Sequence, residues 1–264
     1  MSLYFVTILV ASLWAGAGCG LMGVYVVGLR LPFVGICISH AAMAGAVLSV
    51  YLGASGPWLG ILLSGGMAML LAVIRPQGSR IDPNVAMAVL FSLTLGLTFL
   101  GIGLINDSRS EILGLLWGNI LFVRPEQVLL IAIVTLGFSL GVWFFHDELK
   151  ALLFSRSLAE ATGLHQTTVY ALFLALCGVT LAVDLPLIGG LMIFSLVTNP
   201  AAAAYQICNG HRAVLQMSIL LGVLSAGGGL VVSVLFNWPT GACIVLVSAL
   251  MFAGAAAWRL GISR

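Results

Sequence analysis

The stretch RLPFVGICISHAAMAGAVLSVYLG, residues 30–53, decides the fold class. From Phe33 to its end it contains no Asp, Glu, Lys or Arg, and its one histidine is His40. About 20 apolar residues at the α-helical rise cross the hydrocarbon core of a bilayer. A helix is required because lipid offers no partners to an unpaired peptide group. A histidine placed in such a span must either hydrogen-bond to something or bind something.

The rest of the chain repeats the pattern. Of its 264 residues 61% are hydrophobic and 7% charged, with a mean hydropathy of +1.19. Soluble domains carry about 25% charged residues, so this composition excludes one. The alternating ten-residue segments of a β-barrel are missing. The reading is an all-α integral membrane protein, a polytopic bundle forming a single domain over residues 1–264. Apolar runs at roughly 3–27, 33–54, 58–74, 84–105, 128–145, 166–183, 187–204, 213–235 and 239–258 predict about 8–9 transmembrane helices. The first run lacks the basic flank of a cleaved signal peptide and is expected to stay as a span. Gly16 with Gly20, and Ala42 with Ala46, have the small-xxx-small spacing that lets helices approach closely. Cysteines 19, 37, 177, 208 and 243 form no CxxC pair and read as buried thiols.

Orientation follows from the basic residues. Placing Arg75 and Arg80 in the cytoplasm also puts Arg30, Lys150, Arg156, Arg212, Arg259 and Arg264 there. Only Arg109 and Arg124 then lie outside, as the positive-inside bias requires. The N-terminus is outside and the C-terminus inside.

Two polar interruptions remain. Residues 106–127, NDSRSEILGLLWGNILFVRPEQ, lie on the outer side and enclose an apolar stretch too short to span, predicting an interfacial or re-entrant helix. Residues 146–168, HDELKALLFSRSLAEATGLHQTT, form a cytoplasmic loop. Within it Ser157 and Glu160 make a capping box, Ala161 follows, and Gly163 supplies the left-handed turn that ends a short helix. So short a helix outside the membrane persists only by packing on something, either the rest of a connector or a cytoplasmic partner. The chain has no G-x-x-x-x-G-K-[ST] phosphate loop, and its single lysine, Lys150, stands in DELKA. ATP-driven transport would therefore need a separate ATPase.

In order along the chain, RLPFVGICISHAAMAGAVLSVYLG (30–53), EILGLLWGNIL (111–121), LAEATGLHQTTVYALF (158–173) and DLPLIGGLMIFSLVTNPAAAA (184–204) resemble the ABC-3 permeases. These are membrane subunits of bacterial zinc, manganese or iron ABC importers. The resemblance implies a multi-pass protein of the bacterial plasma membrane. It implies a permease homodimer in lipid, an ABC ATPase beneath it, and an extracytoplasmic metal-binding protein that delivers the ion. The 157–163 helix would be the coupling helix, ATP would sit on the partner subunit, and this chain would bind no cofactor of its own. No catalytic residue and no nucleic-acid partner are expected. Relatives often carry an acidic residue in a context like FVGDALSHA, where this chain reads FVGICISHA with Ile36. A hard oxygen ligand is lost there, and the resemblance does not fix the metal.

The candidate path residues are few. His40 shares a helical face with Cys37, and imidazole with thiolate suits zinc or another borderline-soft ion. A thiolate grips more tightly than transport tolerates, and the bland alternative is a neutral imidazole bonded to a neighbouring helix, with Ser39 bonded to its own backbone. Asp184, before Leu-Pro, reads as a solvated outer turn, as an N-cap, or, if the break dips inward, as a lining of the cation path. Asp107 and Glu111 make an outer acidic mouth or a docking contact. Asn119 and the Asn199-Pro200 pair mark expected helix breaks with freed carbonyls. His146, Asp147 and Glu148 read as a solvated helix end rather than a metal site.

Rival functions are weaker. A gradient-driven secondary carrier would place several charges near the midplane in matched repeats, and none is evident. An enzyme would need a converging nucleophile and base, which histidines 40, 146, 165 and 211 do not provide. A passive channel leaves no contrary mark in the sequence.

Overall fold

The structure, a computed structural model, describes residues 2–30, 32–54, 56–73, 83–105, 114, 116–118, 125–154, 166–190 and 192–262. Ten helices are present among them: α1 (Ser2–Gly28), α2 (Pro32–Tyr51), α3 (Trp58–Val73), α4 (Pro83–Leu104), α5 (Pro125–Phe144), α6 (His146–Phe154), α7 (Gln166–Ile188), α8 (Ile193–Ile207), α9 (His211–Phe236) and α10 (Thr240–Ile262). Seven are long and apolar enough to cross a membrane: α1, α2, α4, α5, α7, α9 and α10. The 16-residue α3 and the 15-residue α8 occupy the two other positions where the sequence predicts spans. At the helical rise they reach only about 24 Å, so they fit where neighbouring helices cover their ends.

The helices pack as two groups. In one, α1 lies along α9 and α8, and α10 packs on α8 and α9; in the other, α2 joins α3 and α4, and α7 packs on α3 and α2. Helix α5 bridges them, touching α1 and α7. The α1–α9 contact is built from small residues, as the Gly16 and Gly20 spacing predicts. A Cβ on Gly16 would strike the backbone of Gly222, and one on Gly222 would strike that of Gly16. The Ser218 hydroxyl donates to the Gly20 carbonyl at 2.6 Å, tying the same two helices. Likewise Gly60 of α3 sits against the Ala42 carbonyl of α2.

One end of the bundle gathers the basic residues among those described. Gly28 at the end of α1 meets Tyr205 of α8 and Leu153 of α6, and the Arg259 guanidinium donates to Gln206 Oε1 at 3.1 Å. Arg30, Lys150, Arg212 and Arg259 therefore share this end, which the positive-inside rule makes the cytoplasmic one.

The opposite end is closed by backbone contact. Gly118 (φ 72°) and Gly189 (φ 93°) hold left-handed conformations that disfavour any side chain. A Cβ on Gly118 would collide with Ile188, and one on Gly189 with Trp117 and Gly118. Leu116 is buried with Ala42, Met43, Ala182 and Leu185. Leu116 and Gly118 thus pack into the bundle while Trp117 stays exposed, which fits either an interfacial or a re-entrant segment. The remainder of it, with Asp107, Glu111 and Asn119, lies outside the described residues.

Two predicted breaks are corrected. Helix α7 runs through Pro186 to Ile188 and α8 runs through Pro200, so neither Asp184-Leu-Pro nor Asn199-Pro200 ends a helix. The chain instead turns at Gly189–Gly190. Proline removes one backbone bond without breaking a packed transmembrane helix, because neighbours hold the helix in place. The Asn199 amide donates to Ser248 Oγ at 3.0 Å, joining α8 to α10.

Candidate functional site

A polar side-chain pair meets across the seam between the two groups. Asp184 lies on α7 one turn before its outer end and is 1% exposed. The solvated-turn reading of Asp184 is therefore overturned: its carboxylate is inside. The helix continues past Pro186 and buries it. Its Oδ2 faces the Cys19 thiol of α1, which donates to it at 3.9 Å. The contact joins α1 of one group to α7 of the other. Cys177, two turns below on the same face of α7, is also fully buried.

Toward the cytoplasm the seam becomes aromatic. Tyr25 of α1 packs on Phe173 of α7 with ring centroids 5.5 Å apart, and Phe173 packs on Phe138 of α5 at 6.0 Å. Tyr25 also meets the His211 ring at 5.8 Å. The sequence reading missed Tyr25 and Phe173 altogether, since an aromatic residue in an apolar span carries no signal of its own.

His40 stands elsewhere. It is 5% exposed on α2, and its ring meets Phe91 of α4 edge-on at 4.8 Å. Its Nδ1 is buried without a hydrogen-bond partner among the described residues. The Cys37 thiol shares that face as its spacing predicts, but donates to the Met87 carbonyl at 3.0 Å. Ser39 donates to the Ile36 carbonyl of its own helix, as expected. His40 and Asp184 are thus both inside the bundle, each with its own neighbours. No group of three His, Cys, Asp or Glu side chains able to hold a metal ion occurs among the described residues.

Of the remaining sequence candidates, Ser157, Glu160, Ala161 and Gly163 lie outside the described residues. His146 opens α6 and reaches the His211 ring of α9 at 5.3 Å, a pairing that 65 residues of separation hid from the sequence. Asp147 is exposed beside it.

The chain resembles known membrane subunits over nearly its full length. It is 29% identical over 257 residues to the manganese transport system membrane protein MntC of Halalkalibacterium halodurans, covering 95% of this chain and 85% of that protein. It is 23% identical over 231 residues to the high-affinity zinc uptake system membrane protein ZnuB of Haemophilus influenzae, covering 88% of each. Its structure superposes on PsaBC from Streptococcus pneumoniae, solved in complex with Fab, with a TM-score of 0.83 and 26% identity, covering 94% of this chain and 89% of that one. The family model for the ABC 3 transport family matches residues 2–259, and the chain belongs to that family.

Proposed function

We propose that this chain is the permease of an ATP-driven importer of divalent transition-metal ions. Manganese and zinc are the cargo suggested by relatives that match over most of both chains; iron, the third expected cargo, is carried by the family resemblance alone. An extracytoplasmic binding protein hands the ion to the outer end, and two permeases stand above two copies of a separate ABC ATPase. The loop between α6 and α7, with Ser157, Glu160, Ala161 and Gly163, enters the ATPase as the coupling segment. Asp107 and Glu111 serve the outer mouth or the docking of the binding protein, and Asn119 belongs to the same end.

The observation that carries this reading is Asp184. A buried carboxylate in a chain with so little charge is costly and needs a use. Its place on the seam between two helix groups gives it one, as the polar step a cation meets while the groups move apart. His40 is a second step, with an imidazole nitrogen left unpartnered. Ser39 adds only its helix-bonded hydroxyl beside it. Neither site is a closed cage, which suits cargo that must leave again.

Uptake of radioactive manganese and zinc by cells expressing the permease with its ATPase tests the reading. Asp184→Asn keeps the shape and replaces an ionisable carboxyl oxygen by an amide that cannot carry charge to a cation, and uptake falls at least about tenfold. Undiminished uptake of both metals would remove Asp184 from the path.

A further inference from the structure

The cytoplasmic end of the seam holds a pair of imidazoles that the proposed path does not use. His146 is the first residue of α6 and His211 the first of α9, and their ring centroids lie 5.3 Å apart with planes inclined at 49°. Two imidazoles sharing one tetrahedral ion, each nitrogen about 2 Å from it, place their ring centres about 5 Å apart. His211 Nε2 is buried with no hydrogen-bond partner among the described residues. Tyr25, whose ring meets His211 at 5.8 Å, is fully buried and its hydroxyl is equally without a partner. Three polar side chains from three helices therefore converge on one place, and two of them have buried polar atoms unspent.

From this geometry we propose that His146 and His211 form a two-imidazole site for a divalent transition-metal ion at the cytoplasmic end of the seam, through which the cargo leaves.

Imidazole suits zinc and its first-row neighbours, and water would complete the coordination. Two protein ligands hold an ion weakly, as an exit site requires. Lys150, one turn after His146 on α6, adds a positive charge to the same end of that helix. Tyr25 from α1 meets His211 here, and Asp147, the one acidic side chain adjacent to His146 in sequence, is exposed on α6. The role of the site as an exit rests on the metal-permease reading; its capacity to bind an ion does not.

The chain has four histidines, so a background of His40→Ala with His165→Ala leaves only this pair. That protein, full-length in lipid nanodiscs, is titrated with cobalt(II) and followed by its visible absorption. One cobalt ion binds, zinc displaces it, and adding His146→Gln or His211→Gln raises the apparent Kd for that ion at least about tenfold. Size-exclusion chromatography selects folded protein. If a glutamine variant does not fold, electron spin echo modulation of copper(II) on the two-histidine protein reads the number of ligating imidazoles directly, and two are expected. No bound ion, or one imidazole only, overturns the site. Cobalt binding at the pair in a permease that transports no metal would leave the site standing and remove the transport reading. Metal uptake by a permease whose pair binds no ion would do the reverse.

Discussion

Asp184 lies inside the bundle, one turn before the outer end of α7, with its carboxyl oxygen facing the Cys19 thiol. Proline two positions on marks a turn in water, and that is how Asp184-Leu-Pro reads from sequence. Within a packed membrane bundle the helix continues through Pro186 and the carboxylate is carried inside. A buried polar group without full hydrogen bonding costs about 1–3 kcal/mol, so a residue kept only for stability would not be a carboxylate here. Asp184→Leu is therefore expected to leave thermal stability unchanged or raised while uptake is lost. Fluorescence-detected thermal unfolding in detergent, run beside the uptake assay, separates the two effects. A large fall in stability would make Asp184 structural. His40 was legible as a buried, functional candidate, and so was its shared face with Cys37. That this face meets Phe91 and Met87 was not, since one sequence does not say which helices become neighbours. His40→Ala is expected to reduce uptake at limiting metal with the permease–ATPase complex still assembled by affinity purification; normal uptake there would make it structural.

At the scale of elements, length and hydropathy were enough to find the spans. The helices α3 and α8 are shorter than a bilayer needs, yet the same apolar runs marked them. The small-xxx-small spacing was also legible, and the α1–α9 contact shows what it is for. Gly16 and Gly222 stand backbone to backbone, so Gly222→Val forces two helices apart. A loss of about 1–3 kcal/mol follows from overpacking such a contact. Gly254, with open space around it, should accept Ala with little change. Urea-free thermal denaturation of the two variants in the same detergent compares them, and equal midpoints would contradict the close packing. The Gly118–Gly189 junction was invisible in the sequence, because it depends on two positive-φ glycines meeting from segments far apart in the chain. Its expected signature is that Gly189→Ala loses stability, while Gly103→Ala, with free space at its Cβ, does not.

As a whole molecule, the chain is a multi-pass component of the bacterial plasma membrane and not an enzyme, as its family membership states. Composition alone gave the membrane, and basic residues gave an orientation that the structure supports by gathering Arg30, Lys150, Arg212 and Arg259 at one end. What composition could not give is the division into two helix groups joined by one apolar core, with the Cys19–Asp184 pair between them. That division follows from which faces carry glycine and which carry bulk, a pairing problem rather than a pattern along one helix. Among the described residues the contacts between the groups include Cys19 on Asp184 and Tyr25 on Phe173, so transport by relative movement of the groups would break these pairs. On the function proposed above, a separate ATPase drives movement along this seam and metal is what it carries. The most direct test reconstitutes the permease with its ATPase in liposomes, presents the metal-loaded binding protein on the outer side, and measures manganese and zinc influx with and without ATP. Influx that requires ATP, the ATPase and the binding protein together is the expected result. Metal influx driven by a proton or sodium gradient without the ATPase would contradict the account.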